Sequence, residues 1–598
     1  MIPWNLNESQ RQAVDSPILG PLLIVAGAGS GKTATLISRL GAILSSGVNP
    51  AEVVAITFTN KAADEMRSRV ENSNCLKKNS SRPFIGTFHS FGVSILKKEA
   101  SYFDRDARFS IFDNNDSSRL LRKIFKEISA GSKETNFSST VSKISRLKNN
   151  LLPTESLSES SNFADRLAAD VFFSYENVLK RNNAFDFDDL IEKPARIFLS
   201  NPDTLEKYHR LFRFILVDEY QDINPAQYQF IRSLAGEDGN LNVVGDDNQA
   251  IYGFRGADFK NFLNFDRDFK NARVVTLEEN YRSTGNIIGA ASGLILKNKL
   301  QRPKKLWTKN QAGSPVLIIE NEDEEEEAAR LSEKISLLRR GGVKESITIL
   351  YRTNAQSRPL EQAFIENNIP YFIFGGLRFY DRKEIKDIVS VLRFTSNPKD
   401  EAAKERMKKS FHRADSNLLF IELLQKKDYP PAALIDFILK STSFLKNLEK
   451  NFDNFREREE NIKELYSFAT SSPNLEELIE KISLFQSSDS RPKFKNTDFS
   501  KSISMMTIHL SKGLEFDRVF IAGLSEGLLP HAMSFKKGED IEEERRLAYV
   551  AMTRARKNLC LSFHGLPSRF LGEIPSEFLE FDAGRVIDFD DEERYITI

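Results

Sequence analysis

The sequence is poor in cysteine and tryptophan and carries no net charge. Of 598 residues only two are cysteines, Cys75 and Cys560, and two are tryptophans. The two cysteines match no metal-binding or redox spacing, so they argue against a disulfide-built secreted domain and indicate a reducing cytosol. Basic and acidic residues number 85 each, which leaves a formal net charge of zero. The overall charge therefore gives no indication of a nucleic-acid partner, and any positively charged surface must be confined to part of the molecule.

Long apolar runs are also lacking. No run approaches the roughly 20 apolar residues that a membrane-spanning helix needs. Residues 1–5 do not have the charged-then-apolar layout of a signal peptide. We therefore expect a cytoplasmic protein with no membrane partner, long enough at 598 residues for several domains.

What the sequence does contain is a phosphate-binding pattern near its start. An apolar run precedes Ala26-Gly27-Ala28-Gly29-Ser30-Gly31-Lys32-Thr33, and a helical pattern follows. Small residues let consecutive backbone N–H groups curl around an anion, and the helix start adds partial positive charge. Lys32 would reach the β- and γ-phosphates, and Thr33 would bind Mg²⁺ through its hydroxyl. A glycine-rich turn before an ordinary helix is the alternative, and the Lys-Thr pair argues against it.

Two carboxylates follow a second apolar run, residues 214–217. A buried strand ending in Asp218 and Glu219 would deliver both acids to the edge of a parallel sheet, where the sites of such sheets lie. Asp218 would bind Mg²⁺, and Glu219 would position and deprotonate an attacking water. A third run, residues 241–244, leads towards Gln249, a candidate sensor of the γ-phosphate.

Aromatic residues stand beside hydroxyl, amide or imidazole groups after other predicted strands. Phe58 and His89 follow two such strands, while Tyr252 and Phe254 follow Gln249. Rings that stack on bases, beside polar groups that bind phosphates, suit contact with nucleic acid. For the segments of Phe58 and His89, an aromatic packed in the core with polar caps is the alternative, and each of these two segments taken singly fits both.

Further candidates for nucleotide contact are spread along the chain. Gln10 could pair with N6 and N7 of adenine, although a solvent-facing glutamine is the commoner case. Tyr281 offers a ring for adenine, Arg282 a guanidinium for phosphate, and Glu515 an acid for a ribose hydroxyl.

Arg554 stands out on a predicted helix of residues 542–556. Leu547, Val550, Ala551 and Arg554 fall at i, i+3, i+4 and i+7, so the arginine shares the apolar face. A buried arginine needs an anion partner. Either a structural salt bridge or a nucleotide phosphate would serve, and the phosphate fits better.

The order of these elements predicts an α/β fold with two lobes, because strand-like runs alternate with helical patterns in both halves. Residues 106–184 and 380–500 have helical composition and spacing, and we interpret each segment as an inserted helical domain. The first lobe is then assigned to residues 1–105 and 185–275, and the second lobe to residues 276–379 and 501–598.

Taken together, these segments resemble the UvrD/PcrA/Rep family of superfamily 1 DNA helicases. The matching segments, in the family's order, are LNESQRQAV, AGAGSGKT, ITFTNKAADEMRSRV, GTFHSFG, LVDEYQD, VVGDDNQAIYGFRGAD, LEENYRST, ILYRTNAQSR, MTIHLSKGLEF and EEERRLAYVAMTRAR. The resemblance implies two RecA-like P-loop motor lobes with ATP and Mg²⁺ between them, each lobe with an inserted, mostly helical domain. It also implies 3′-to-5′ movement on single-stranded DNA and unwinding of duplex DNA in repair or replication. The implied partners are single-stranded DNA, single/double-strand junctions, and repair or replication proteins.

The resemblance also implies roles for individual residues. Gln10 reads adenine, Tyr281 stacks on it, and Glu515 holds the ribose. Phosphates, Mg²⁺ and water are served by the loop from Ala26 to Thr33 and by Asp218, Glu219 and Gln249. The arginine fingers are Arg282 and Arg554. The DNA-facing positions are Phe58, His89, Tyr252, Phe254, Arg358 and His509.

The sequence departs from the family's pattern in several places. Ala34 stands where many members have arginine, and the insert of residues 380–500 is shorter than usual. The turn expected to contact duplex, near residues 410–417, contains no glycine. The chain stops soon after Gly572, without the usual extended tail. These departures leave duplex contact, and partners that use the tail, open.

Other functions stay open at this point. A translocase could strip proteins from single strands and unwind poorly. A nuclease-complex subunit of the AddA/RecB kind would need a long C-terminal nuclease region that this sequence lacks. RNA is a weaker candidate substrate, because readers of its 2′-hydroxyl cannot be identified from sequence.

Overall fold

The computed structural model describes residues 6–71, 81–129, 136–236, 239–375, 379–398, 400–426, 428–452, 454–479, 482, 502–536 and 538–582. The strands in chain order are β1 Leu22–Ala26, β2 Val53–Thr57, β3 Phe84–Thr87, β4 Ser110–Phe112, β5 Ala184–Asp186, β6 Phe214–Val217, β7 Asn240–Gly245, β8 Arg273–Leu277, β9 Val316–Asn321, β10 Ile347–Tyr351, β11 Tyr371–Ile373, β12 Ile503–Thr507, β13 Phe516–Ile521, β14 Ala555–His564 and β15 Leu579–Phe581. The chain divides into two compact units, one of Met1–Tyr281 with Leu300–Leu306, the other of Arg282–Lys299 with Trp307–Ile598. Cys75 lies outside the described residues.

The first unit is built on a six-stranded sheet in the order β3-β2-β6-β7-β1-β8. Every neighbouring pair in it is parallel. Alternate residues of β1 enter different cores, with Leu23 and Val25 on one face and Leu22 and Ile24 on the other. Burial on both faces explains why this strand is an unbroken apolar run.

The helices of the first unit, in chain order, are Glu8–Val14, Lys32–Ser45, Asn60–Glu71, Phe88–Glu99, Asn114–Ile128, Phe137–Asn149, Glu155–Ser158, Phe163–Arg181, Asp189–Ser200, Pro202–Leu211, Pro225–Ala235, Lys260–Leu263 and Phe265–Asp268. Those between Asn114 and Arg181 share a core of their own, which includes Leu121, Leu147 and Val171. The short strands β4 and β5 pair in parallel at the two ends of this helical segment. The segment is thus an insertion between strands of the first sheet.

The second unit has a seven-stranded sheet in the order β11-β12-β10-β13-β14-β9-β15. Its neighbouring pairs are parallel as well. Its helices include Gly285–Ile295, Glu324–Arg340, Ser357–Glu366, Lys383–Ser396, Glu401–Ser410, Arg413–Glu422, Pro431–Ser441, Phe444–Asn451, Phe455–Thr470, Ile508–Ser511 and Gly538–Met552. A separate hydrophobic core between Phe379 and Ile482 holds together the helices inserted between β11 and β12.

The prediction of an α/β fold with parallel sheets in two lobes is confirmed. One element differs from its prediction, because the helix expected to reach residue 556 ends at Met552. Strand β14 begins at Ala555, so Arg554 lies in the turn between helix and strand and not on a helix face. Within the part of the chain that the structure describes, no helix is long and apolar enough to cross a membrane.

Candidate nucleotide and nucleic-acid sites

Strand β1 leads directly into the predicted phosphate loop. The following helix starts at Lys32, and its N-cap, Gly31, has φ 81° and ψ 32°. Position 31 requires glycine for two reasons. Its left-handed backbone disfavours other residues, and an added Cβ would lie 2.8 Å from the side-chain nitrogen of Gln10. The Ser30 hydroxyl donates to the Gly27 carbonyl at 2.8 Å and tightens the turn. The loop therefore ends at the N-terminus of a helix, whose free backbone N–H groups can bind an anion.

Lys32 lies among the acidic residues that follow β6. Its ammonium is 3.0 Å from Glu219 Oε2 and 3.4 Å from Gln249 Oε1. Burial lowers the pKa of Lys32, but the carboxylates of Glu219, Asp246 and Asp218 outweigh that effect and leave the pKa above its usual value. Lys32 is thus a mostly buried cation, 11% exposed, held charged by acids that follow strands β6 and β7.

Thr33 and Asp218 form a pair of oxygen donors beside Lys32. The Thr33 hydroxyl donates to Asp218 Oδ2 at 3.0 Å, and the backbone N–H of Glu219 donates to Asp218 Oδ1 at 2.9 Å. Burial first, and the adjacent Glu219 carboxylate second, raise the pKa of Asp218 to about 7. A divalent cation would offset both effects, and hydroxyl and carboxylate oxygens are the ligands that Mg²⁺ prefers.

Glu219 is held in an uncommon backbone conformation. Its φ of 51° lies in the left-handed region, which is rare for residues other than glycine and is found at functional sites. Gln221 donates to Glu219 Oε2 at 2.6 Å, and Gln249 donates to Asp246 Oδ2 at 2.7 Å. The structure thus brings the predicted residues Lys32, Thr33, Asp218, Glu219 and Gln249 together at the carboxyl edge of the first sheet.

The residues predicted for adenine border the same loop. Gln10 is only 5% exposed, so the solvent-facing alternative is wrong. Its amide donates to the Ser30 carbonyl at 2.9 Å and accepts from the backbone N–H of Asn7 at 3.0 Å. Tyr281 is 48% exposed, and its backbone N–H donates to the Gly29 carbonyl at 3.0 Å. The exposed ring of Tyr281 and the hydrogen-bonded amide of Gln10 therefore lie beside the phosphate loop at Gly29 and Ser30.

Three further predicted residues lie together in the second unit. Arg282 Nε donates to Glu515 Oε2 at 2.6 Å, and Arg282 Nη1 donates to the Thr553 carbonyl at 3.0 Å. Burial alone would raise the pKa of Glu515, but Arg556 and Arg282 lower it below its usual value. Arg554 Nη1 donates to the Leu514 carbonyl at 3.2 Å, immediately before Glu515. Arg282, Glu515 and Arg554 thus converge although the sequence separates them widely.

Arg554 itself is 1% exposed. Its guanidinium also donates to the Val550 carbonyl at 2.9 Å and to the Thr553 hydroxyl at 3.1 Å. These bonds fix its orientation within the turn that follows the helix Gly538–Met552. Arg554 is therefore buried, as predicted, but it is buried by its position in the turn after Met552 and not by an apolar helix face.

An aromatic row lies in the first unit beyond Gln249. The rings of Phe58 and Tyr252 stack at 5.5 Å with an interplanar angle of 14°, and Tyr252 meets Phe254 at 6.1 Å. Arg255, which the sequence analysis did not single out, stands 5.5 Å from the centres of both the Tyr252 and Phe254 rings. Phe254 is 65% exposed, so a core role does not account for it.

A second aromatic pair adds a residue that the sequence analysis missed. His89 and Phe187 have ring centres 5.1 Å apart, and Phe187 is 45% exposed. Burial lowers the pKa of His89 and so favours its neutral form. Phe187 sits just after β5 between Asp186 and Asp188, and Asp186 is buried beside Lys148 at 2.8 Å. The sequence signal that could have pointed to Phe187 is an aromatic residue placed between two acids, Asp186 and Asp188.

Arg358, which the family resemblance places among the DNA-facing positions, is buried in this structure. Its side chain is 0% exposed and is paired with Glu464 at 2.5 Å, Glu325 at 2.8 Å and Glu324 at 3.3 Å. The guanidinium also lies 4.6 Å from the centre of the Phe468 ring. Since Glu464 and Phe468 belong to the inserted helices, Arg358 links the insert to its own helix, Ser357–Glu366, in the same unit. By contrast, His509 is partly exposed at the start of the short helix after β12.

The turn expected to contact duplex lies between the helices Glu401–Ser410 and Arg413–Glu422. Phe411 in this turn is 4% exposed and stacks on Phe444 at 5.0 Å. The His412 ring lies 3.1 Å from the side-chain oxygen of Asn447. Both side chains of the turn thus engage the insert itself.

Comparison with known proteins agrees with this geometry. A model of the UvrD/REP helicase N-terminal domain matches residues 6–270, and a model of the UvrD-like helicase C-terminal domain matches residues 275–454 and 440–565. A relative called ATP-dependent DNA helicase PcrA, from Staphylococcus epidermidis, is 37% identical over 97% of this chain and 88% of its own length. A relative of the same name from Staphylococcus aureus is 36% identical over 96% of this chain and 87% of its own.

Proposed function

We propose that this chain, a member of the UvrD/REP family of helicases and an ATP-dependent DNA helicase, moves 3′ to 5′ along single-stranded DNA and unwinds duplex DNA in repair or replication. The observation that carries the motor chemistry is the cluster of Lys32, Thr33, Asp218, Glu219 and Gln249. The direction of movement and the cellular process rest on the family resemblance.

In this proposal the phosphates of ATP compete with Glu219 for the Lys32 ammonium, 3.0 Å away. When Lys32 turns to phosphate, the Glu219 carboxylate is released to orient and deprotonate the attacking water. Thr33 and Asp218 hold Mg²⁺, which would neutralise charge on the phosphates. Arg282 and Arg554 stabilise the transferring phosphoryl group, and Glu515 accepts from the ribose.

The aromatic row Phe58–Tyr252–Phe254 and the His89–Phe187 pair would grip the strand. Stacking of a base on an aromatic side chain contributes about 1–3 kcal/mol and tolerates any sequence. Arg255 beside two of these rings adds a positive charge for the backbone. His509 is a further candidate contact in the second unit. Because Gln249 and Tyr252 are close in the chain, a change at the ATP phosphates can reach the residues that contact the DNA strand through the same loop.

One observation favours a second candidate, a translocase that displaces bound proteins with little unwinding. In the turn at residues 411–412 both side chains contact the insert itself, through Phe444 and Asn447. A turn without glycine offers less room for the backbone to approach duplex phosphates. The grip on duplex is then weak, while the grip on a single strand is unaffected.

The test uses purified full chain with duplexes that carry a 3′ or a 5′ single-stranded tail. We expect ATP hydrolysis to rise with single-stranded DNA and the 3′-tailed duplex to be unwound. Unwinding of only the 5′-tailed duplex would overturn the direction. Displacement of streptavidin from biotinylated single strands without duplex unwinding would select the translocase. Lys32→Ala serves as the inactive control.

A further inference from the structure

A short segment of the chain belongs to the first unit, although the residues on both sides of it belong to the second. Residues Leu300–Leu306, which we call the strap, lie in the first unit, while Arg282–Lys299 and Trp307–Ile598 lie in the second. Nothing in the sequence analysis singled out this segment.

The strap is anchored around the loops that carry the nucleotide chemistry. The backbone N–H of Arg302 donates to Asp247 Oδ2 at 2.8 Å, and its guanidinium donates to the Leu263 carbonyl at 2.7 Å. Leu306 covers the phosphate loop so closely that a Cβ on Gly27 would come within 2.0 Å of it. The strap therefore touches both the phosphate loop and the loop after β7.

Lys304 is the charged centre of the strap. Its side chain is 2% exposed and lies 3.1 Å from Asp246 Oδ1 and 2.5 Å from Asp247 Oδ1. Both aspartates are fully buried. Buried charges are tolerated only when they are paired, and Lys304 supplies the positive partner for two adjacent buried carboxylates.

Asp246 in turn orients two residues of the hydrolytic cluster. Its Oδ2 accepts from the Gln249 amide at 2.7 Å, and its backbone N–H donates to Gln221 Oε1 at 2.9 Å. Gln249 accepts from Lys32 at 3.4 Å, and Gln221 donates to Glu219 at 2.6 Å. Asp246 is thus one residue removed from both Lys32 and Glu219.

We propose that Lys304 is a positioning residue for ATP hydrolysis, which fixes Gln249 and Glu219 through Asp246. Asp246, held by Lys304, accepts from the Gln249 NH₂ group and so turns the amide oxygen of Gln249 towards Lys32. Without the ammonium of Lys304, the two buried carboxylates lose the partner that holds them in place, and the orientation of Gln249 is lost. The inference rests on the ATP-hydrolysing function proposed above.

The test compares Lys304→Met with Lys304→Arg and with Lys305→Met, a neighbouring exposed lysine. Initial rates of DNA-stimulated ATP hydrolysis give kcat and KM, and a fluorescent ATP analogue gives Kd. A misplaced catalytic group slows the reaction by about 10- to 100-fold, so we expect kcat of Lys304→Met to fall by that factor. KM and Kd should stay within about threefold of the parent, since the phosphate loop is intact. Lys304→Arg should recover part of kcat, and Lys305→Met should match the parent.

Folding is followed in parallel by thermal melting and circular dichroism. If Lys304→Met does not fold, Lys304→Met/Asp247→Asn, which buries one carboxylate instead of two, is measured with the same expectation. A folded variant with unchanged kcat overturns the proposal, as does a parallel loss of kcat and nucleotide affinity. Failure of the parent chain itself to hydrolyse ATP would reject the proposed function instead, so the two failures are distinguishable.

Discussion

Replacing Arg358 with methionine tests whether this residue is structural or contacts DNA. The arginine side chain is 0% exposed and that of Glu464 is 12% exposed, so their pair is buried. Removing one partner of a buried ion pair destabilises a protein by about 3–5 kcal/mol, because the other charge is left uncompensated. Glu324 and Glu325 are 29% and 49% exposed, so water screens their contribution and they add little.

The expected result is a large loss of thermal stability with unchanged DNA affinity. The unit that contains Arg358 has about 310 residues, and at about 2.1 cal/mol/K of unfolding entropy per residue each kcal/mol shifts its melting temperature by about 1.5 °C, so Arg358→Met should lower it by about 5–8 °C. Calorimetry gives the melting temperature, and fluorescence anisotropy with labelled single-stranded DNA at 15 °C gives affinity. Arg340→Met, an exposed arginine of the same unit, is the matched control.

Adding Glu464→Gln to Arg358→Met should restore part of the lost stability, because no buried carboxylate is then left unpaired. A variant that melts like the parent but binds single-stranded DNA about tenfold more weakly, a difference of about 1.4 kcal/mol, would refute the reasoning. In that case Arg358 would be a DNA contact, as the family resemblance implied.

Other substitutions separate the remaining roles. Lys32→Ala should weaken ATP binding, whereas Glu219→Gln should leave binding intact and lower kcat by about 10²–10⁴-fold, the usual contribution of a general base; near-normal turnover in Glu219→Gln would remove that assignment. Phe187→Ala should weaken single-stranded DNA binding by about 1–3 kcal/mol while ATP hydrolysis without DNA stays the same, and an equal loss without DNA would place the ring in the motor core. Burial lowers the pKa of His564, but Glu327, 2.9 Å away, more than reverses this and raises it above the usual value. This stabilisation is present below the unfolded pKa, about 6.5, and is lost as pH rises through the folded pKa. His564→Gln should therefore lower the melting temperature more at pH 6 than at pH 9, and the opposite trend would contradict the ion pair.

Local sequence was sufficient wherever the chemistry depends on neighbours in the chain. The phosphate loop needs small residues between a strand and a helix, and residues 26–33 supply them within one turn. The acids after residues 214–217 could be placed at a sheet edge, because a fully buried parallel strand leaves polar residues only at its ends. Residue order along the chain also carried the family resemblance, and with it the two-lobed fold.

Burial and long-range pairing could be decided only by the tertiary structure. Arg358 was a predicted DNA contact and Arg255 lies beside two of them. Arg358 is nevertheless enclosed by glutamates from distant helices, whereas Arg255 lies beside the Tyr252 ring and the exposed Phe254 ring. Phe185 and Phe187 look equivalent in sequence, but β5 ends at Asp186, so Phe185 is buried and Phe187 is exposed.

Lys304 shows the same limit most clearly. Its partners, Asp246 and Asp247, lie more than fifty positions earlier in the chain. Charge type and spacing cannot reveal such a pair, because the energy of a buried ion pair depends on which side chains the fold encloses together and on how much water it removes from them. The sequence by itself thus determined the two-lobed α/β fold and the loop and acids of the nucleotide site. Which charges are buried, and which rings are exposed, was settled only when distant segments packed against each other.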